Sequence, residues 1–267
     1  MFSINSALVR LLIFAAMWPF FVAPLHAQSV EGDEADFLEA MSAPETAGDV
    51  NRSEAVDLIV QQTNEFRQQQ RLSKVEVNKE LTKTAQYFAD YMARTDRYGH
   101  YADGKRPSQR AQNHGYNYCL VSENIAYQYN SAGFSTSELA AQFVEGWKNS
   151  PQHRENMLEP AVRDIGVAVA RSENTGHWYA VQMFGRPKSA AIEFKVANRS
   201  DTTVQYTVRD RTFTLPPKYA RTHMRCRDVR VSFEFPEGEG QKKTIQPTSG
   251  DSFMIVRQNG QLDVQQQ

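Results

Sequence analysis

Three amphipathic helical segments followed by two apolar-rich strands constrain this chain more than any other feature. Asn51 can cap a helix, with Glu54 three residues later, and Val56, Ile59, Val60, Thr63 and Phe66 follow at helical spacing. Residues 79–94 place Leu81, Ala85, Phe88, Ala89 and Met92 on one face, and residues 137–148 do the same with Leu139, Ala140, Phe143, Val144 and Trp147. Ser150-Pro151 predicts the end of that third helix, because proline disfavours helical backbone in the residue before it. The period then changes from helical to alternating. In residues 164–171, Ile165, Val167 and Val169 share a face; in residues 178–184, Trp178, Ala180, Gln182 and Phe184 oppose Tyr179, Val181 and Met183. The intervening Ser172-Glu173-Asn174-Thr175-Gly176 has the composition of a hairpin loop. Helices plus a small antiparallel sheet predict a layered α+β domain over residues 51–187.

The next segment, residues 190–264, reads differently. Strand-like runs at 191–197, 203–208, 211–215, 229–235 and 252–256 are separated by turn residues such as Pro216-Pro217 and Ser249-Gly250. Short strands punctuated this way predict a small, sandwich-like all-β C-terminal domain. The glutamines from Gln265 onward are expected to fray.

The N-terminus carries one positive charge, Arg10, before the apolar run of residues 11–24. That run is short for a membrane span of about 20 residues. With Pro19, Pro24 and small Ala27 before Gln28, residues 1–27 read as a signal peptide, with an uncleaved anchor as the alternative. Residues 28–50 hold seven acidic residues and no lysine or arginine, the composition of a disordered lead-in. The mature chain is then expected to be secreted, extracellular or periplasmic, and not transmembrane. Loss of Arg10 with the leader leaves 29 basic against 31 acidic residues, a net charge of −2. That balance excludes nucleic acid as the main partner, which leaves a strongly basic footprint. Cys119 and Cys226, the two cysteines, either pair in an oxidising compartment or stay as two buried thiols.

Four residues stand out as candidate chemistry. His100 opens His-Tyr-Ala-Asp-Gly after the second helix; Glu123 lies in Ser-Glu-Asn-Ile-Ala-Tyr; His153 follows Ser150-Pro151; His177 opens the last strand of the helical part. Three imidazoles and a carboxylate can bind Zn²⁺ or another divalent ion if they converge, but none of the spacings is a local ligand motif. Taken one at a time, each histidine reads as a surface or capping residue. His114 and Cys119 lie in a polar loop and read as unrelated rather than as a nucleophile pair, and no nucleophile-elbow sequence surrounds Ser122 or Ser150. Glu145 reads as a solvated helix charge. Lys218, Arg221, Arg225, Arg227 and Arg230 form a basic cluster in the β region, read as a solvated edge or a contact for anionic polymers or headgroups.

Six segments, in order, resemble the CAP superfamily (cysteine-rich secretory proteins, antigen 5 and pathogenesis-related 1), in its bacterial branch. They are Thr63-Asn64-Glu65-Phe66-Arg67, residues 85–104, Ser122-Glu123-Asn124-Ile125-Ala126-Tyr127, the stretch from Trp147 to Leu158, and the closing strands at 165–170 and 177–185. The resemblance covers about half the chain. It implies an α-β-α sandwich with a central cavity lined by His100, Glu123 and His177, able to hold a divalent metal. His153 belongs to the bacterial pattern, and the second glutamate of animal and plant members is replaced here by Lys148-Asn149-Ser150.

The function expected first is an extracellular or envelope binding module whose His/Glu cavity takes a metal, small ligand or lipid, or which contacts an envelope polymer. The alternatives are a metal-assisted or serine-type hydrolase using the same cavity, and a structural envelope component.

Overall fold

The first helix begins where its sequence says it should. Asn51 Oδ1 accepts hydrogen bonds from the backbone N–H groups of Ser53 (3.1 Å) and Glu54 (3.2 Å), satisfying donors that the helix leaves unpaired at its start. The computed structural model describes residues 50–236 and 238–267. The expected signal peptide, and the acidic lead-in up to Asp49, lie outside the described residues.

The helices are α1 (Arg52–Gln69), α2 (Lys79–Thr95), α3 (Pro107–Asn113), α4 (Thr136–Asn149) and α5 (Pro151–Leu158). They pack on a four-stranded sheet of β1 (Glu76–Val77), β2 (Tyr118–Gln128), β3 (Asp164–Arg171) and β4 (Trp178–Pro187), in the order β1-β3-β4-β2. β1 runs parallel to β3, and the other pairs are antiparallel.

The alternation of β4 decides the layering. Trp178, Ala180 and Phe184 join Ile59, Phe66, Phe143 and Trp147 in one core. Tyr179, Val181 and Met183 join Leu81, Phe88 and Met92 in another. Both faces of the sheet are therefore covered, α1 and α4 on one side and α2 on the other, giving an α-β-α sandwich. Gly166 sets the spacing of α2 from β3. A Cβ built there would lie 2.2 Å from the Leu81 carbonyl carbon and 2.3 Å from the Thr82 nitrogen.

Proline has two roles at the α4–α5 junction. It ends α4, as expected, but Pro151 also occupies the first turn of α5, where its missing N–H costs nothing. The sequence reading had no helix there, none at α3, and no strand at β2. In β2 the polar Ser122, Glu123 and Asn124 interrupt the apolar alternation on which that reading depended.

The C-terminal part is a β-sandwich. Its strands are β5 (Ile192–Asn198), β6 (Val204–Val208), β7 (Arg211–Leu215), β8 (Ala220–Arg225), β9 (Val231–Phe233), β10 (Lys243–Ile245), β11 (Ser252–Gln258) and β12 (Gln261–Gln266). They form the sheets β10-β9-β6-β7 and β12-β11-β5-β8, with Phe194, Tyr206, Phe213, Phe233, Phe253 and Ile255 in the core between them. The fraying expected of the terminal glutamines is corrected: Gln265 and Gln266 pair with Met254 and Phe253, and Gln266 Nε2 donates to Asp251 Oδ1 at 3.0 Å. Backbone pairing needs no apolar side chain, so composition alone does not reveal it.

The two parts pack as one unit. A disulfide joins Cys119 of β2 to Cys226 just after β8, with a Cα–Cα separation of 5.4 Å. Arg227 Nη2 lies 2.8 Å from Glu159 Oε2 across the same seam. Among the described residues, no helix is long and apolar enough to cross a membrane.

Candidate functional site

The loop after α2 turns sharply because Asp96 adopts the left-handed conformation, with φ 52°. The Asp96 carboxylate then accepts from Thr175 Oγ1 (2.9 Å), Asn174 Nδ2 (3.3 Å) and Tyr179 Oη (3.3 Å), tying the loop to the β3–β4 hairpin. These hydrogen bonds hold the carboxyl below its ordinary pKa, the contact with Ser172 contributing most. The loop so anchored delivers Tyr98 and His100 to the exposed edge strand, β2.

At that edge His100 Nδ1 lies 2.8 Å from Glu123 Oε1. Arg110, from α3, donates Nη2 to Glu123 Oε1 at 2.9 Å and to Oε2 at 2.7 Å. Its Nη1 donates to Asp103 Oδ1 at 2.7 Å and to the Lys105 carbonyl at 2.8 Å, and Nη2 also reaches the His100 carbonyl at 3.0 Å. The guanidinium sits over the Phe88 ring, 3.5 Å from its centroid. Arg110, Glu123 and Asp103 have side-chain exposures of 0–2 %, whereas the His100 side chain is 43 % exposed. One arginine thus neutralises two buried acids, and one of those acids orients a half-exposed imidazole. A carboxylate held by an arginine only accepts hydrogen bonds, so His100 Nδ1 carries the donated proton and Nε2 is left as the ring's outward nitrogen.

The neighbouring residues of the family-like segments hold this edge in place. Asn124 Nδ2 donates to the His153 carbonyl (3.1 Å) and to Gln182 Oε1 (3.0 Å), and Asn156 Nδ2 donates to Asn124 Oδ1 (2.9 Å). Gln182 continues to Thr63 Oγ1 at 2.8 Å. Trp147 Nε1 donates to the Ile125 carbonyl at 3.2 Å. The network anchors His153 next to the site. Burial, and then the neighbouring His100, push the His153 pKa down. Tyr98 donates its hydroxyl to the Ile125 carbonyl at 3.1 Å, and its ring meets Tyr127 edge-on at 5.0 Å; burial, then Tyr127 and Glu123, raise its pKa.

His100, Glu123 and His153 therefore come together, and His177 does not join them. Glu123 is paired with Met183 across the sheet, and His177 precedes that residue by six positions, about 20 Å along a strand. The His177 ring instead lies among Tyr127 (5.5 Å), Tyr129 (5.2 Å) and Tyr179 (6.3 Å). His177 precedes β4, at the other end of that strand from Met183. Glu123, moreover, is committed to Arg110. Among the described residues no group of three or more histidines, cysteines or acids is arranged to hold a metal ion.

Arg110 and Asp103 were not singled out from the sequence. Their spacing of seven residues crosses a turn and a helix start, and no local pattern marks them. The other candidates resolve simply. His114 Nδ1 is 2.9 Å from the Arg110 carbonyl, Cys119 is in the disulfide, and Glu145 pairs with Lys148 at the surface.

Comparison with known proteins bears on these same residues. Residues 60–184 match the family model of the cysteine-rich secretory protein family, CAP. The uncharacterized protein YkwD of Bacillus subtilis (strain 168) is 28% identical over 168 residues, which is 60% of this chain and 61% of that protein. The chain thus spans less than two thirds of that relative's length. Among solved structures, an outer surface protein from Borrelia burgdorferi aligns with a TM-score of 0.46 at 21% identity, over 53% of this chain and 99% of that one. An extracellular SCP-domain protein from Bacillus anthracis str. Ames aligns with a TM-score of 0.43 at 24% identity, over 51% of this chain and 41% of that one. The matched segment contains the Glu123–Asn124 pair, Trp147, His153 and Asn156 that build the edge site, and over residues 60–184 the chain is similar to the cysteine-rich secretory protein family.

Proposed function

We propose that this is an exported binding module whose recognition point is the outward nitrogen of His100. The observation that supports this reading is the 2.8 Å contact between His100 Nδ1 and Glu123, itself fixed by the Arg110 fork. It fixes the orientation of the outward Nε2 at an exposed edge. His153, its pKa lowered, offers a second imidazole, and the exposed rings of Tyr98 and Tyr127 flank the edge. An oriented imidazole nitrogen beside exposed aromatic rings suits a ligand with hydroxyl groups and a flat apolar face, which is the chemistry of a saccharide.

The donor set does not suit a resident metal. Two imidazoles are available, the nearby carboxylate is held by Arg110, and His177 is remote. Ligand contact in this reading does not run through Zn²⁺ or another divalent ion. Lipid remains a weaker fit, because the immediate partners of His100 are charged.

A hydrolase is the second reading, because an imidazole oriented by a carboxylate is also the arrangement of a general base. No serine, threonine or cysteine hydroxyl or thiol bonds to His100 among the described residues. Ser122 sits beside Glu123 on the opposite face of β2, and its Oγ is buried without a partner.

NMR titration of the full chain with N-acetylglucosamine oligosaccharides tests both. Shifts of the His100 and His153 ring signals, lost in His100→Ala with the fold intact, are expected. Unmoved ring signals would overturn the binding reading, and cleavage of the oligosaccharide would replace it with the hydrolase. A parallel Zn²⁺ titration is expected to show no tight one-to-one binding; tight binding lost in His100→Ala/His153→Ala would make the site a metal centre.

A further inference from the structure

We infer that the β-sandwich carries an anion site, separate from His100, for the phosphate ester of a small polyol. Residues 199–230 hold seven arginines and one lysine against three aspartates, in a chain whose net charge is −1. The fold concentrates this charge. Arg209, Arg211, Arg225 and Arg227 line a single cleft of about 260 Å³, together with Asp210. Two separate pieces of chain supply them: the β6–β7 turn with the first residue of β7, and the end of β8 with the residue after Cys226.

The scaffold of this cleft is fixed from two directions. The Arg209 N–H donates to the Arg230 carbonyl at 3.0 Å, which docks the turn against the chain entering β9. The disulfide to Cys119 holds Cys226, and Cys226 separates Arg225 from Arg227. Arg209 itself has φ 60° in a two-residue turn between paired Val208 and Arg211. Glycine is the residue favoured in that left-handed conformation. An arginine kept there puts a cation at the rim at the expense of backbone strain, and such outliers concentrate at binding sites.

Three of the four guanidinium groups are free of acid partners among the described residues. Arg227 is paired with Glu159, and Arg225 Nη1 donates to the Met224 carbonyl at 2.9 Å. Among the described residues Arg209, Arg211 and Arg225 enter no ion pair, and Arg211 lies over the Phe213 ring at 5.1 Å. Like charges gathered without counter-ions are relieved by an anion, and the planar fork of arginine matches phosphate oxygens two at a time.

Size and the one acid narrow the ligand. The cleft is smaller than the roughly 300–1,000 Å³ of drug-sized ligand sites, so it fits a headgroup rather than a whole lipid or a large metabolite. Asp210 disfavours an anion that cannot donate a hydrogen bond to it. A phosphate ester with a free hydroxyl, such as glycerol phosphate, satisfies the arginines and Asp210 together. That group occurs free, in polymers and on lipids.

Calorimetric titration of the full chain with sn-glycerol 3-phosphate tests the site. One binding site is expected, weakened by salt. Loss of two charge-assisted contacts in Arg209→Ala/Arg211→Ala should lower affinity about tenfold or more. Arg209 on the turn and Arg211 at the start of β7 are both exposed, and an unchanged thermal transition will show that the variant is folded. Arg209→Lys/Arg211→Lys keeps the charge without the fork and should recover part of the affinity. Sedimentation with phosphatidylglycerol vesicles, against phosphatidylcholine vesicles, separates the sources. Recruitment lost in the alanine variant assigns the lipid headgroup; glycerol phosphate binding without recruitment assigns the free or polymeric ester. No heat from the unmodified protein, or equal affinity in the folded alanine variant, overturns the inference.

Discussion

Arg110 holds Glu123 by both carboxylate oxygens, at 2.9 and 2.7 Å, with each side chain at most 1 % exposed. The pair is deep enough that neither member can be solvated alone. Its geometry explains why a half-exposed histidine keeps a fixed ring orientation, and it determines what loss of either partner should do.

Arg110→Ala leaves Glu123 and Asp103 as two buried carboxylates with no cation. Breaking a buried pair from one side typically costs about 3–5 kcal/mol. Urea unfolding should show a loss of that size. A midpoint within experimental error of the parent would mean that the two acids reach water or protons by another route.

Gly166→Ala should destabilise the α-β-α sandwich by about 1–3 kcal/mol, since the added methyl would meet the α2 backbone at 2.2–2.5 Å. The obstacle is main chain, so a rotamer change cannot relieve it. Thermal unfolding measures the effect, and an unaltered transition would show that α2 slides on β3 at little cost.

Removing the disulfide should loosen the seam between the two parts. Cys119 and Cys226 are separated by 107 residues, and a cross-link closing a loop of that length contributes about 4–5 kcal/mol in the chain-entropy account. Cys119→Ser/Cys226→Ser is expected to unfold at lower denaturant, with the β-sandwich melting apart from the helical part. Calorimetry with one coincident transition in both proteins would contradict this.

Acid should weaken the β-sandwich through His223. This side chain is 4 % exposed, and Tyr206 Oη lies 2.8 Å from its Nε2. Burial first, then Arg225 and Arg221, bring its pKa from 6.5 down to about 4. Below pH 6.5 the unfolded chain binds a proton that the folded chain refuses. The folded state's advantage is therefore whole above pH 6.5 and is lost as pH falls from 6.5 towards 4, up to about 3 kcal/mol. His223→Gln should flatten stability over that window, which denaturant titrations at pH 7, 5.5 and 4.5 can measure.

The periodic elements of this protein were legible in its sequence. Helices α1, α2 and α4 and strands β3 and β4 were readable because each repeats an apolar face over several turns or alternations, and that signal is local. The β-sandwich was readable as a class from its short strands and turn residues. Strands β8, β10 and β12 were not, because β8 is charged, β10 is three residues long and β12 is rich in glutamine.

The site divides in the same way. Ordered segments resembling a known family picked out His100, Glu123 and His153, and the structure places them at one edge. Tertiary structure alone supplied Arg110 and Asp103, set His177 among Tyr127, Tyr129 and Tyr179, and paired Cys119 with Cys226. Periodicity reports which side of an element a residue faces. It does not report how far along a neighbouring strand that residue falls, or which distant charge turns towards it. Those depend on strand register and on burial, where a carboxylate such as Glu123 must find its cation, and both are set only when the whole chain has packed.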